Sequence, residues 1–422
     1  MIIDKVNRIY LLYLILLGFF GLNILNYGAL DLVYFAIVLY MAYPAIHSKG
    51  TYPQMIRWYV VFVFISCIYS WMFNGQNLFQ VTFRSYDHFA LMSFFILLQA
   101  DLSSKEVIKV LEMLALTFCI GYIVQWLVYP TTIFSMVDFF ANEETGKYRA
   151  RMVGSILCYF FLIYSVNRLL LRSGWKYILY GILGFIPIIM QGFRSMILLT
   201  VFSVFAMIPV VLRSGWKTIV YSVIGLGIAL LAVNNSLVQY KIEEMSKRQE
   251  RNQTFDNKDY IRWLSLDYFW NQQFTKPLEK FLGGGKPVDK GSNYAKRIDI
   301  VKKYYHFYWS DLGLVGFSMI VGMPAVFLLI LMYVRCMWRC KDPSIQFVRF
   351  TLFIVLVGSL FVNSELYRRG NLLLLSLFLY LEHKYNQETR HSDQRKKYYT
   401  IKQIFEAIKK KQINENRNLN LS

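Results

Sequence analysis

Arginines that stand between long apolar segments are the residues of this chain best suited to chemistry. Arg194 occupies a very short polar break, Gln-Gly-Phe-Arg-Ser, between two apolar runs. A guanidinium is planar and donates paired hydrogen bonds to phosphate oxygens. We interpret Arg194 as a clamp for a phosphate group, with a lipid-phosphate anchor at the membrane surface as the alternative. The same interpretation extends to Arg84, Arg149, Arg151 and Arg262, which stand in other polar connections on the same predicted side of the membrane.

A candidate proton acceptor, His306, accompanies these arginines. It is the only histidine in the long polar segment 235–311. A neutral imidazole can act as a general base near pH 7, and packing among the neighbouring aromatic residues is the alternative. Arg368 and Arg369 lie on the same predicted side, but Glu365, Asp311 and Asp87 are available partners, so a structural role for this pair is equally open.

Composition limits the class of protein that positions these residues. Hydrophobic residues make up 56% of the 422 residues and charged residues only 17%. Because soluble domains average about 25% charged residues, the composition argues against a water-soluble enzyme and excludes a disordered chain. The formal net charge is +20. In a membrane protein such an excess is typical of basic cytoplasmic loops and tails, and no other feature supports nucleic-acid binding.

The apolar runs predict an all-α polytopic membrane protein with about twelve transmembrane helices, since a span needs about 20 mostly apolar residues. The predicted spans are 8–26, 30–46, 56–73, 87–101, 107–128, 152–170, 177–192, 195–212, 217–234, 312–334, 350–364 and 371–382. Lysine and arginine are enriched in alternate connections, which predicts that both termini are cytoplasmic. The expected divisions are nine spans in 1–234, a periplasmic loop in 235–311, three spans in 312–382 and a basic cytoplasmic tail in 383–422.

The predicted periplasmic loop should contain short helices. One is expected at about 259–274, with Trp263 and Trp270 indicating contact with the membrane surface. Gly283–Gly285 should break regular structure, and the segment lacks the spacing of a nucleotide-binding loop. Because no metal-ligand motif stands in the outer loops, neither a metal nor another cofactor is expected.

This arrangement resembles the O-antigen polymerase and O-antigen ligase superfamily of bacterial inner-membrane glycosyltransferases. The resemblance covers most of the chain as architecture. In detail, Arg194-Ser195 is similar to the family's motif of a small residue and arginine between two short spans. Arg149 or Arg151 ahead of Gly154 is similar to the family's arginine before a glycine-containing helix.

Two further matches lie in the long polar segment. Arg262 followed by Pro277 and Gly283–Gly285 is similar to the family's loop pattern. His306 ahead of Gly313 is similar to the histidine that precedes a glycine-containing span. Phe307 stands where many ligases have asparagine, which favours the polymerase over the ligase.

The resemblance implies a polymerase that transfers a glycan from undecaprenyl diphosphate to a sugar hydroxyl of another lipid-linked repeat unit. Arg194 and Arg262 would neutralise the diphosphate, and His306 would accept the hydroxyl proton. The implied partners are the undecaprenyl-diphosphate-linked glycan, inner-membrane lipids and a chain-length regulator. The alternatives are a ligase that transfers the finished glycan to lipid A core or to protein, and a lipid-linked oligosaccharide flippase.

Overall fold

The computed structural model describes six stretches of the chain: residues 36–134, 137–142, 147–171, 174–213, 261–361 and 368–392, with a few isolated positions elsewhere. Most of the predicted span 8–26, all of the span 217–234, and residues 235–260 and 393–422 lie outside the described residues. The fold within the described stretches is helical, with one two-stranded hairpin.

The first eight described helices belong to the part of the chain that is predicted to span the membrane. In chain order they are α1 (Ala36–Ala45), α2 (Thr51–Asn74), α3 (Leu78–Arg84), α4 (Ser93–Ala100), α5 (Ser104–Leu127), α6 (Ile156–Leu170), α7 (Lys176–Gln191) and α8 (Arg194–Leu212). The remaining described helices are α9 (Ile261–Asp267), α10 (Pro277–Leu282), α11 (Asn293–Tyr305), α12 (Gly313–Val321), α13 (Met323–Arg339), α14 (Gln346–Phe361) and α15 (369–392).

Four segments of the described chain are helical, long and apolar enough to cross a membrane: Thr51–Asn74, Ser104–Leu127, Ser195–Leu212 and Pro343–Leu360. Each overlaps a predicted span, so the prediction of a helical chain with segments able to cross a membrane is confirmed for these four, and the number of twelve spans stays a prediction. Other helices are shorter, among them α6 and α7. Such helices pack against the long ones in a common core rich in fully buried aromatic side chains, including Tyr59, Phe118, Phe160 and Phe378.

Contacts between distant residues show that α2 and α13 run antiparallel. Arg335, near the end of α13, donates to Thr51 at the start of α2. At the opposite end, Asn74 donates to the carbonyl of Gly284. We call these the Thr51 end and the Asn74 end of the bundle. Within the described residues, the predicted cytoplasmic connection at Asp101 lies at the Thr51 end, where Lys384 pairs with it close to the Arg339–Glu382 pair. The predicted external connection at Arg84 lies at the Asn74 end, where Lys286 donates to it.

A β-hairpin replaces part of one predicted span. Strand β1 (Val137–Asn142) pairs antiparallel with β2 (Lys147–Met152), so the helix that was expected from residue 152 begins at Ile156 instead. The described chain is otherwise helical, so the prediction of an all-α chain holds apart from this hairpin. A Cβ on Gly370 would lie only 2.3 Å from the carbonyl oxygen of Val153, so the end of the hairpin is in close contact with the start of α15.

The predicted span 312–334 is also interrupted. Gly322, with φ +87°, separates α12 from α13, and a Cβ at this position would lie 2.6 Å from the carbonyl oxygen of Leu282. The segment Gly283–Gly285 packs along the interruption. Its Gly284 amide donates to Met319 O at 2.7 Å, and its Gly285 amide donates to Ile320 O at 3.0 Å. Because two chain segments meet backbone to backbone, glycines are needed on both sides.

Candidate functional site

A shared carboxylate organises the cations at the Asn74 end. Asp87 Oδ2 lies 3.6 Å from Lys286 Nζ, and Asp87 Oδ1 lies 4.0 Å from Arg369 Nε. Arg369 is 3% exposed and its guanidinium lies over the Tyr86 ring. The structure thus favours the structural alternative for Arg369. Lys286, which the sequence analysis passed over, brings a second cation to the same carboxylate.

Arg194 is the first residue of α8 rather than a loop residue. Gly192, with φ +65°, ends α7, and extended Phe193 begins the turn into α8. The very short connection predicted from the sequence is therefore confirmed. Two residues further on, Met196 packs so closely on α14 that a Cβ on Gly358 would lie 2.6 Å from its sulfur. This contact fixes the start of α8 beside the end of α14.

The hairpin carries two more of the predicted arginines. Arg149 and Arg151 lie on β2, where their backbones pair with Phe140 and Asp138. Their strand leads directly to the Val153 contact with Gly370, next to buried Arg369. The backbone therefore brings this pair of arginines and Arg369 to the same end of the bundle.

Arg84 ends α3, so it belongs to a short helix and not to the loop that was expected. Its side chain is exposed. Its carbonyl accepts a hydrogen bond from Lys286 Nζ at 3.1 Å. Arg84 thus stands beside the lysine that contacts Asp87, in the same group of cations.

The long polar segment has a small core of its own. Phe269, Phe274, Tyr294 and Ile298 are buried around Met319 of α12. Helix α9 and a π-helical turn, Tyr268–Gln273, stand on this core, which confirms the helix predicted at about 259–274 within the described residues. Because the core includes a residue of α12, the polar segment is seated directly on the membrane helices.

This core also brings two predicted site residues into one neighbourhood. Arg262 lies in α9, and the turn Trp309–Leu312 packs against the same helix. His306 is exposed and precedes that turn, and its neighbour Phe307 lies 6.0 Å from the Tyr268 ring. His306 ends α11 with φ +56°, a left-handed conformation that histidine adopts more readily than most residues. The segment therefore presents an exposed imidazole three residues before the turn that packs on the helix of Arg262.

The glycine-rich segment cannot cradle a phosphate with the amides of Gly284 and Gly285. Both amides donate to backbone carbonyls of α12, and the Gly285 carbonyl accepts from Tyr294. Next to it, buried Glu279 accepts a hydrogen bond from Asn74 at 3.3 Å. Burial raises the pKa of the Glu279 carboxyl above its ordinary value. These contacts give the segment a structural role.

Sequence reasoning missed two features of this region. His88 is buried next to Asp87, with Nδ1 2.9 Å from the Tyr59 hydroxyl, and no sequence pattern distinguished it. The second feature is a cleft between Trp263 and Trp270 that includes Asp267. The spacing of these residues, i, i+4 and i+7, is a signal that the sequence did contain.

Among the described residues, no group of three or more histidine, cysteine, aspartate or glutamate side chains is placed to hold a metal ion. The functional groups described at the Asn74 end are guanidinium, ammonium and imidazole groups with a few carboxylates. No family model matches the chain, and no curated protein matches it with significant similarity.

Proposed function

We propose that this protein is a membrane glycosyltransferase that polymerises oligosaccharide repeat units carried on undecaprenyl diphosphate. The observation that carries the proposal is the grouping of cations from separate elements at the Asn74 end of the described chain: Lys286 lies beside Arg84 and Asp87, and the strand of Arg149 and Arg151 leads to the start of α15. A diphosphate leaving group develops negative charge as its bond to the sugar breaks, and preorganised cations stabilise that charge.

Each candidate residue has a separate role in the proposed reaction. His306 accepts the proton of an acceptor sugar hydroxyl, and the hydroxyl oxygen attacks the anomeric carbon of the donor glycan. The bond from that carbon to the diphosphate breaks, and undecaprenyl diphosphate leaves with the bonding electrons. Arg194 and Arg262 neutralise the departing diphosphate, while Arg84, Arg149 and Arg151 hold it near the membrane surface. No nucleotide sugar, metal or other cofactor enters this scheme.

The proposed setting is the bacterial inner membrane, with about twelve spans and both termini in the cytoplasm. The Asn74 end then faces the periplasm, residues 235–311 form the large periplasmic loop, and inner-membrane lipids surround the helices. In this setting the polyprenyl chain of the donor lies along the apolar helices. A chain-length regulator is the proposed protein partner.

Reconstitution tests the proposal directly. Wild-type protein in vesicles should join purified lipid-linked repeat units without an energy source. The Arg194→Ala variant should join them about 100-fold more slowly, because one charge-stabilising group is lost. Arg57→Ala removes a cation that contacts the carbonyl of Ile46 at the Thr51 end, so it is the matched control and should keep wild-type activity.

Two results would count against the proposal. Vesicles that fail to join the repeats would exclude the polymerase, and an unchanged rate in the Arg194 variant would remove this residue from the mechanism. In cells, deletion should leave a single repeat unit on the acceptor. A bare acceptor with accumulating lipid-linked polymer would instead indicate the ligase.

A further inference from the structure

An open cleft lies beside the segment that carries His306. Its volume is about 410 Å³, and its wall is formed by Trp263, Leu266, Asp267, Trp270, Asn271 and Val315. This volume is within the range of roughly 300–1,000 Å³ that is usual for small-molecule sites. Trp263 is 52% exposed, so a large indole surface remains accessible at the cleft.

The polar side of the cleft is held in place by hydrogen bonds. Asn271 Nδ2 donates to Asp267 Oδ1 at 2.7 Å, and Gln272 Nε2 donates to Asp267 Oδ2 at 3.4 Å. The π-helical turn that begins at Tyr268 brings two consecutive amides within reach of the same carboxylate. Such turns are frequent at functional sites. The Lys280 Nζ lies 4.7 Å from the centroid of the Trp270 ring, and this cation–π contact stabilises the position of the second indole.

The combination of groups selects a class of ligand. A carboxylate accepts hydrogen bonds from hydroxyl groups, and a carboxamide both donates and accepts. The indole faces pack against apolar C–H groups. A pyranose ring presents hydroxyls at its edge and C–H groups on its face. An anionic lipid headgroup fits less well, because Asp267 would repel its phosphate.

We propose that this cleft is a saccharide subsite that holds a pyranose unit of the acceptor glycan. The inference rests on the proposed function, because it takes the substrate to be a glycan. The location supports the acceptor: Val315 of the cleft belongs to α12, which follows the turn after His306, and Phe307 contacts Tyr268 of the same π-helical turn. A sugar in the cleft lies next to the segment that bears the proposed base.

Binding of a free oligosaccharide tests the subsite independently of catalysis. The probe is the repeat unit released by mild acid from the host strain's own lipid-linked precursor, added to purified full-length protein and observed by saturation-transfer NMR. Trp263→Ala should weaken binding at least about fivefold, and Trp263→Phe should keep most of it. Asp267→Asn should also weaken binding. The matched control is Trp58→Ala, which removes a similarly exposed tryptophan from α2, 51% exposed, and should bind as wild type.

The outcomes separate this inference from the proposed function. Absence of binding by the wild type, or equal binding by the Trp263→Ala and wild-type proteins, overturns the subsite. The emission of Trp263 is the difference between the spectra of the wild type and the Trp263→Phe variant. If brominated lipid quenches this emission as strongly as it quenches the emission of Trp58, the Trp263 indole lies in the bilayer. That result would also overturn the subsite. Oligosaccharide binding that depends on Trp263 supports the subsite, even where purified wild-type protein joins no repeats and the polymerase proposal itself fails.

Discussion

The two ends of the helical bundle hold their cations in different ways. At the Thr51 end, three carboxylates of the described chain pair with three different cations; the pairs are Arg339–Glu382, Lys384–Asp101 and Lys176–Glu112. At the Asn74 end, Asp87 contacts both Lys286 and Arg369. One-to-one pairs join two elements at a time, whereas Asp87 joins three: it lies in the turn after α3, Lys286 lies in the polar segment and Arg369 begins α15. Both arrangements serve the fold, and the second also places Lys286 beside Arg84, an exposed cation of the candidate site.

The largest expected effect concerns the base at the Asn74 end. His306→Asn should reduce the rate of glycan joining by about 10²–10⁴-fold, since it removes proton transfer. Asparagine also tolerates a left-handed backbone, so the fold should persist. The measurement is the joining rate in vesicles, with melting temperature alongside.

The matched variant is His306→Ala, which has no base and also strains the backbone. It should be as inactive as His306→Asn and less stable by about 1 kcal/mol. An active His306→Asn protein would show that the imidazole is not the base.

The next effect concerns a one-to-one pair at the Thr51 end. Glu382 is 0% exposed and lies 2.6 Å from Arg339 Nε. Arg339→Ala should therefore lower the free energy of unfolding by about 3–5 kcal/mol, because it leaves a buried charge without its partner. Denaturation in detergent checks this. The rate of glycan joining per folded molecule should stay unchanged. A loss of this rate would contradict the distinction between the two ends of the bundle.

The third effect concerns the glycines that join the polar segment to the membrane helices. Gly322→Ala should lower stability by at least about 2 kcal/mol, since its Cβ would meet the carbonyl of Leu282 at 2.6 Å. Gly75 is the matched control, because its φ is +63° and a Cβ there would meet nothing within 4 Å. Gly75→Ala should cost only about 1 kcal/mol. Equal losses of melting temperature in the two variants would contradict the close packing.

The smallest effect is a pH dependence at Glu279. Because its pKa is raised in the folded protein, the carboxyl binds a proton more readily there than in the unfolded chain. Its stabilising contribution is present below the ordinary carboxyl pKa and is lost as pH rises through the raised value. Melting temperature measured upward from about pH 4.5 should therefore fall more steeply in the wild type than in Glu279→Gln. Parallel profiles would contradict this assignment.

Some of these features could be predicted from the sequence and others could not. Hydropathy located the long spans, and Gly192 with Arg194 marked the short connection between α7 and α8, because both signals are local. The interruption at Gly322 was missed because residues 312–334 are apolar on both sides of it. Pro324 in the first turn of α13 is a local signal for the break that was not used, whereas the approach of Leu282, distant in sequence, could not have been predicted. The sharing of Asp87 by Lys286 and Arg369 likewise depends on tertiary packing.

The glycine contact between the polar segment and α12 also sets an order of assembly. Residues 283–285 are synthesised before Met319 and Ile320, the carbonyls to which they bind. Chains are made from the N-terminus, and early parts fold first. The polar segment must therefore wait, after its translation, until α12 has been made and placed in the membrane. A nascent chain that stops before residue 319 lacks these acceptors, so maturation of the candidate site is tied to insertion of the later helices.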